Sequence, residues 1–187
     1  MISVKNASLL NKKVLVRVDW NVPMSDHGRI LDDFRIQRSL ETIRYLVKRK
    51  KVGKIRILSH LGRPEGQGVE NDFSLKPVVS RFKKLANFEI NNIEILENIR
   101  FLPGEINNNQ TLAKKLTEGM DVFVQDAFSV CHRSHTSVVG VAKLLPSFIG
   151  LQLEKEIDFL NLILKKPVKP FIVIVGGAKI QDKVETI

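Results

Sequence analysis

The sequence predicts an α/β fold, a parallel β-sheet with helices on both faces, and three observations point to it. Aliphatic runs alternate with helix-period stretches along all 187 residues. The runs inside VLVRVDWN, IRILSHLGRP, IEILENIRF and VFVQDAFSVCHRSH are apolar almost throughout, as strands buried on both faces are. Each run then ends in a cluster of charged or hydrogen-bonding residues, so the clusters would meet at one sheet edge. That edge, outside the carboxyl ends of the strands, is where open α/β sheets bind ligands.

The elements follow in order. A first strand spans roughly Val14 to Asp19, and a polar loop with Gly28 as its turn leads to a helix. In that helix Ile36, Leu40, Ile43 and Val47 recur every three or four positions, and Asp32 or Asp33 is placed to cap it. A second strand, Ile55 to Leu58, runs into SHLGRPEGQG, whose glycines and proline forbid continued regular structure. Ser74 caps a second helix carrying Leu75, Val79, Phe82 and Leu85, with Pro77 in the tolerated first turn. The third strand covers about Ile93 to Leu96. A third helix carries Leu112 and Leu116 and closes at Gly119, and the fourth strand runs from Val122 to Val124. After Pro146 a long helix sets Leu153, Ile157, Leu160 and Leu164 in register, until Pro167 and Pro170 stop it. FIVIVGGAKIQDKVETI reads as another strand, a Gly-Gly turn and the start of a helix.

Composition narrows the class. The length suits one full domain and a little more. No apolar run approaches the ~18 residues of a membrane span, and the first residues lack the basic and apolar regions of a secretory leader. One cysteine, Cys131, allows no internal disulfide, which agrees with a cytoplasmic location. The net charge of +10 invites polyanions, nucleic acid among them. Much of the excess, however, sits on helix-like segments such as YLVKRKK and RFKKLA, and aromatic residues do not interleave with the basic runs. A non-catalytic basic module for nucleic acid or another polyanion is therefore the competing reading.

The strand-end clusters supply Arg17, Asp19, Asn21, His60, Arg63, Arg100, His132 and Arg133. Guanidinium forks match carboxylate and phosphate, so a small anion carrying both is the natural ligand. Each residue has a plainer reading. Asp19 and Asn21 fit Asx turns, Arg17 fits a strand interior, and Arg100 could pair internally with Glu97. His132, His135 and Cys131 are too closely spaced for a structural zinc site, and no metal ligand is identified. GGAKIQDK follows a strand and opens a helix, an arrangement that cradles phosphate, and Lys179 and Lys183 are four apart on one helix face. No nucleophile elbow or catalytic triad is present, which points to charge stabilisation in binding or group transfer.

Taken in order, RVDWNVP, DDFRI, SHLGRP, LENIRF, QDAFSVCHRSH and GGAKIQDK resemble the phosphoglycerate kinase family over essentially the whole chain. The resemblance implies a Rossmann-like first domain of a two-domain kinase fold. It divides the chain into residues 1–150 for 3-phosphoglycerate, a hinge helix at 151–167, and the start of a nucleotide-binding domain at 168–187. It implies reversible phosphoryl transfer between 1,3-bisphosphoglycerate and ADP, giving 3-phosphoglycerate and ATP in glycolysis, with Mg2+ accompanying the nucleotide. The implied substrate site is Asp19, Asn21, Arg35, His60, Arg63, Arg100, His132 and Arg133. Arg35 would lie nearest the transferring phosphoryl group, Lys183 would guide it from the nucleotide side, and Gly177 and Lys179 would touch nucleotide phosphates. The rest of the C-terminal domain, which carries the adenine pocket, would have to be supplied. The chain alone is expected to bind the acidic substrate weakly and transfer no phosphoryl group, and the whole enzyme to be a monomer. Trp20, Phe34, Gln125 and the Ser129-Val130-Cys131 stretch depart from the family pattern without removing a charged ligand, although Ser129 replaces a glycine ahead of His132.

Overall fold

A computed structural model describes residues 2–165, 167–172 and 174. Five strands form one fully parallel sheet: β1 (Lys13–Val18), β2 (Lys54–Leu58), β3 (Ile93–Ile95), β4 (Val122–Asp126) and β5 (Ser147–Ile149), in the spatial order β3-β2-β1-β4-β5. Parallel pairing puts all the carboxyl ends on one edge. The chain builds outward from β1 to β2 and β3, then returns to β4 on the other side of β1. The loops leaving β1 and β4 diverge at this reversal, and a crevice opens between them.

Side chains alternate across the pleat, so β1 feeds two cores. Val14, Val16 and Val18 pack in one with Ile36, Ile43 and Leu46 of helix α1 (Phe34–Lys48) and with Val78 and Phe82 of helix α2 (Lys76–Leu85). Leu15 lies in the other, with Phe123 and with Leu112 and Leu116 of helix α3 (Gln110–Thr117). Helices thus cover both faces, as the buried aliphatic strands require.

The expected stripe on α1 shifts slightly: Leu46 is fully buried, while Val47 is only partly so. Its start is held by Asp32, whose Oδ1 accepts from the Phe34 N–H at 2.7 Å, while Asp33 instead binds Arg81 and Gln37. Ser74 accepts from the Lys76 N–H at 3.3 Å, with Leu75 at the cap position of α2. β5 was not expected. It is a three-residue edge strand, too short for a periodic signal, and it separates Pro146 from helix α4 (Leu151–Lys165). The Ile149 N–H also donates to Ile2 O at 3.0 Å, which ties the chain's beginning to this edge.

The start of α4 is fixed from β4. Asp126 Oδ1 accepts from the Gln152 and Leu153 N–H groups at 3.0 and 3.1 Å, satisfying donors that a helix leaves unpaired at its first turn. A Cβ on Gly150 would sit 2.2 Å from that same oxygen, so only glycine admits the carboxylate. Leu153 is buried, whereas Leu160 and Leu164 are exposed, so the stripe expected on α4 does not pack over its full length. The chain divides into two compact units, Met1–Glu156 and Ile157–Ile187. Phe171, Ile172 and Ile174 lie in no strand, and the remainder of the expected strand, with Gly177, Lys179 and Lys183, lies outside the described residues. Among the described residues no helix is long and apolar enough to cross a membrane.

Candidate functional site

At the crevice between β1 and β4 a pocket of about 200 Å³ opens. β1 supplies Arg17 to it, and the loop after β1 supplies Asn21. His60, Gly62 and Arg63 come from the loop after β2, and Arg100 comes from the 3₁₀ turn Ile99–Phe101 that follows β3. The segment after β4 adds Ser129, Arg133 and His135, and Arg35 projects from the first turn of α1. Five guanidinium groups surround a volume the size of a small metabolite, and among the described residues no carboxylate lines it.

The loops are fixed by polar groups that leave two of these five cations unspent. Asn21 Oδ1 accepts from the Gly62 N–H at 2.8 Å, joining the first two loops. Gly62 has φ +65°, and a Cβ there would meet the Phe73 ring at 2.2 Å, so a side chain is excluded twice over. Buried Asn98 donates to Leu61 O and Phe73 O at 2.7 and 2.9 Å and accepts from the Arg100 N–H at 3.1 Å. Glu97 does not neutralise Arg100. Its carboxylate accepts from the Leu75 N–H and Ser74 Oγ, while Arg100 Nε donates to Pro64 O at 2.9 Å. The side chains of Arg63 and Arg133 make no hydrogen bond or ion pair with the described residues, which leaves two complete guanidinium forks for a ligand.

Asp19 stands outside the pocket as a bracket. Its Oδ2 accepts from Arg35 Nη1 and from Ser129 Oγ, the latter at 2.7 Å, linking β1, α1 and the loop after β4. Ser129 is therefore used by this fold, and it is not among the residues with positive φ, so the serine introduces no left-handed strain ahead of His132. Arg35 and Ser129 also border a second cavity of about 270 Å³, whose walls include Phe34, Phe128, Asp126 and Glu156. With three carboxylates on its walls, Asp19 being the third, that cavity is the poorer anion site.

Arg17, set aside in the sequence as strand interior, is both interior and functional in placement. It is 1% exposed, and its Nη2 lies 3.0 Å from His60 Nδ1. A guanidinium cannot accept, so Nδ1 does, and the proton of His60 sits on Nε2. Burial and then Arg17, Arg100 and Arg133 push His60 down to about 2, so it is neutral at physiological pH. Burial followed by Arg100 and Arg133 brings His135 to about 4. Arg100 is lowered by burial and then by Arg133, with Glu105 opposing the shift.

Of the sequence-derived residues, Asn21, Arg35, His60, Arg63, Arg100 and Arg133 meet at the pocket, and Asp19 braces Arg35. His132 does not line it; His135, three residues on, does. The turn Phe128–Val130 and the π-turn Thr136–Gly140 set which histidine faces inward, and neither turn has a periodic signature. Ser59 and Asn98, inside the SHLGRP and LENIRF motifs, and Ser137, outside every motif, are buried scaffolding to which the sequence assigns no role. Among the described residues no group of three or more His, Cys, Asp or Glu side chains could hold a metal ion.

Comparison with known proteins agrees with this fold. The family model described as phosphoglycerate kinase matches residues 4–95 and 86–187. The phosphoglycerate kinase of Pseudothermotoga lettingae is 41% identical over an alignment covering 100% of this chain and 51% of that protein. That of Borreliella afzelii is 44% identical, covering 95% and 49%. Among solved structures, phosphoglycerate kinase from Coxiella burnetii superposes with a TM-score of 0.85 at 39% identity, over 98% of this chain and 50% of the other. The enzyme from Pyrococcus horikoshii OT3 gives 0.82 at 30% identity, over 99% and 51%. The chain thus spans about half the length of the curated relatives it matches. With a family match across both its halves, a five-stranded parallel sheet and a basic crevice at the strand ends, the chain belongs to the phosphoglycerate kinase family.

Proposed function

We propose that this chain forms the phosphoglycerate-binding half of a phosphoglycerate kinase, taking 3-phosphoglycerate and 1,3-bisphosphoglycerate in reversible phosphoryl exchange with ATP and ADP in glycolysis. The observation that carries the reading is the pocket of about 200 Å³ ringed by five arginines, two of them without a protein partner among the described residues. An anion with a carboxylate at one end and a phosphate at the other uses such a ring fully. The free guanidiniums of Arg63 and Arg133 can each bind either group bidentately, and the ligand supplies the counter-charge that they lack.

The chemistry asks little more of these residues. The accepting carboxylate of 3-phosphoglycerate has a pKa near ~3.5, so it is an ionised nucleophile at neutral pH and needs no general base. His60 and His135, neutral and in the pocket, donate hydrogen bonds without taking a proton. Arg35 borders both cavities, so its charge can follow negative charge as it spreads over the transferring phosphoryl group. The nucleotide and its Mg2+ would bring the donor phosphate and neutralise part of its charge. Gly177, Lys179 and Lys183, the residues implied for them, lie outside the described residues. We assign residues 1–150 to the substrate domain, 151–167 to a hinge helix and 168–187 to the beginning of the nucleotide side. The rest of the family's C-terminal domain is the partner needed for turnover. A cytoplasmic location goes with this reading.

Titration of the 187-residue chain with 3-phosphoglycerate, followed by thermal unfolding, tests it. Saturable stabilisation that Arg63→Ala abolishes, with the fold retained, supports the reading. Equal or greater stabilisation by short oligonucleotides, falling steeply with salt, would favour a polyanion-binding module instead.

A further inference from the structure

We infer that Glu105 is a positioning residue for the anion pocket: through Ser137 it fixes the Arg17 guanidinium, and Arg17 in turn fixes the ring of His60. Glu105 follows the Pro103-Gly104 turn, is 1% exposed and does not line the pocket. Both of its carboxylate oxygens are taken by one residue. The Ser137 N–H donates to Oε2 at 2.9 Å, and Ser137 Oγ donates to Oε1 at 2.5 Å.

With its hydrogen committed to Glu105, Ser137 Oγ offers only lone pairs elsewhere. Arg17 Nε donates to one of them at 3.1 Å. Arg17 Nη1 donates to Val18 O, and Nη2 is left for His60 Nδ1 at 3.0 Å. Every link is thereby given a direction, from carboxylate to hydroxyl to guanidinium to imidazole, and the chain ends with His60 Nε2–H as the donor facing a ligand. The carboxylate is itself anchored through its backbone. Thr136 N–H donates to Glu105 O at 2.8 Å, and Thr136 Oγ1 donates to Gly104 O at 2.7 Å. Glu105 also supplies the charge complement of a buried arginine: it is the foremost of the groups that favour the charged form of Arg17, and it makes no direct ion pair with it. A buried cation without such a complement is strongly unfavourable.

Only the affinity part of the test rests on the phosphoglycerate reading. The ring nitrogens of His60 can be followed by two-bond proton–nitrogen NMR in the ligand-free 187-residue chain, beside calorimetric titration with 3-phosphoglycerate. The wild type should show one tautomer, with Nδ1 unprotonated and Nε2 protonated. In Glu105→Gln the amide N–H can take the Ser137 lone pair that Arg17 uses. His60 should then become a tautomer mixture, and Kd should rise about tenfold, the loss of one hydrogen bond at a charged group. Ser137→Ala deletes one oxygen, leaves Glu105 its bond from the Ser137 N–H, and should give the same signature; it decides the matter if Glu105→Gln does not fold. A single Nε2–H tautomer in the folded variants, or weaker binding with the His60 signals unchanged, would overturn the inference. A wild type that shows the single tautomer but ignores 3-phosphoglycerate would instead overturn the functional reading and leave this one standing.

Discussion

Arg17 Nη2 and His60 Nδ1 lie 3.0 Å apart, and this contact makes His60 a neutral donor in a ring of cations. Burial and the nearby guanidiniums hold it down to about 2, and His135 to about 4. Neither ring should change charge between pH 5.5 and 8. The ligand's phosphate, with a second pKa of about 6, does change charge in that range. Affinity for 3-phosphoglycerate should therefore rise from pH 5.5 to about 7 and then level off. Calorimetry across that range checks this; affinity falling as pH rises through 6 to 7 would mean that a protonated histidine carries binding.

Asp126 should impose a pH dependence on stability of the opposite kind to a salt-bridged carboxylate. Burial pushes it up to about 7, against an ordinary value of 3.8. The folded state thus holds a proton that the unfolded state has lost, and stability is lost as pH rises from about 4 to 7 and is flat above. Asp126→Asn keeps a carbonyl acceptor for the Gln152 and Leu153 N–H groups and removes the ionisation. Its stability relative to wild type should improve between pH 5 and pH 8 by a few kcal/mol, as an order of magnitude. Urea unfolding at the two pH values measures the difference.

Gly62→Ala should damage the site and the fold together. The left-handed φ of +65° and the 2.2 Å approach to the Phe73 ring act on the same Cβ. Strain and overpacking each cost roughly 1–3 kcal/mol, so a loss of at least ~2 kcal/mol is expected in urea unfolding. Substrate affinity should fall as well, because the Gly62 N–H holds Asn21.

Ser129→Gly removes the hydroxyl that donates to Asp19 Oδ2 at 2.7 Å but leaves the Asp19–Arg35 pair. The expected cost is about 0.5–1.5 kcal/mol of stability, with Kd for 3-phosphoglycerate changed by less than ~3-fold. A larger loss of affinity would show that Ser129 touches the ligand itself.

The sequence was most readable where burial leaves a periodic trace. Strands β1, β2 and β4 and the stripes on α1 and α3 are legible because burial there leaves aliphatic runs, and the partly buried edge strand β3 keeps enough of one in Ile93 and Ile95. Arg63, Arg100, Arg133 and His60 are legible because they follow those runs directly, and parallel topology carries every strand end to one edge; Arg35, on α1, comes only from the family resemblance. β5 left no trace because three edge residues make no period. The exchange of His132 for His135 follows from two irregular turns after β4, whose geometry no spacing rule encodes. Arg17 reads as strand interior in the sequence, since its partners Ser137 and His60 are 120 and 43 residues away. Glu105 and Ser137 were invisible for the same reason.

The central claim is that the guanidiniums of Arg63 and Arg133, unpaired among the described residues, receive the substrate. Calorimetric titration of 3-phosphoglycerate into the 187-residue chain, into Arg133→Ala and into Arg44→Ala tests it most directly. Arg44 is exposed on α1, outside the pocket, and should bind as the wild type does. Arg133→Ala should lose about 1.5–3 kcal/mol, or ~10- to 100-fold in Kd, the range for a hydrogen bond to a charged group. Equal affinity for all three proteins, or no saturable binding by the wild type, would contradict the account.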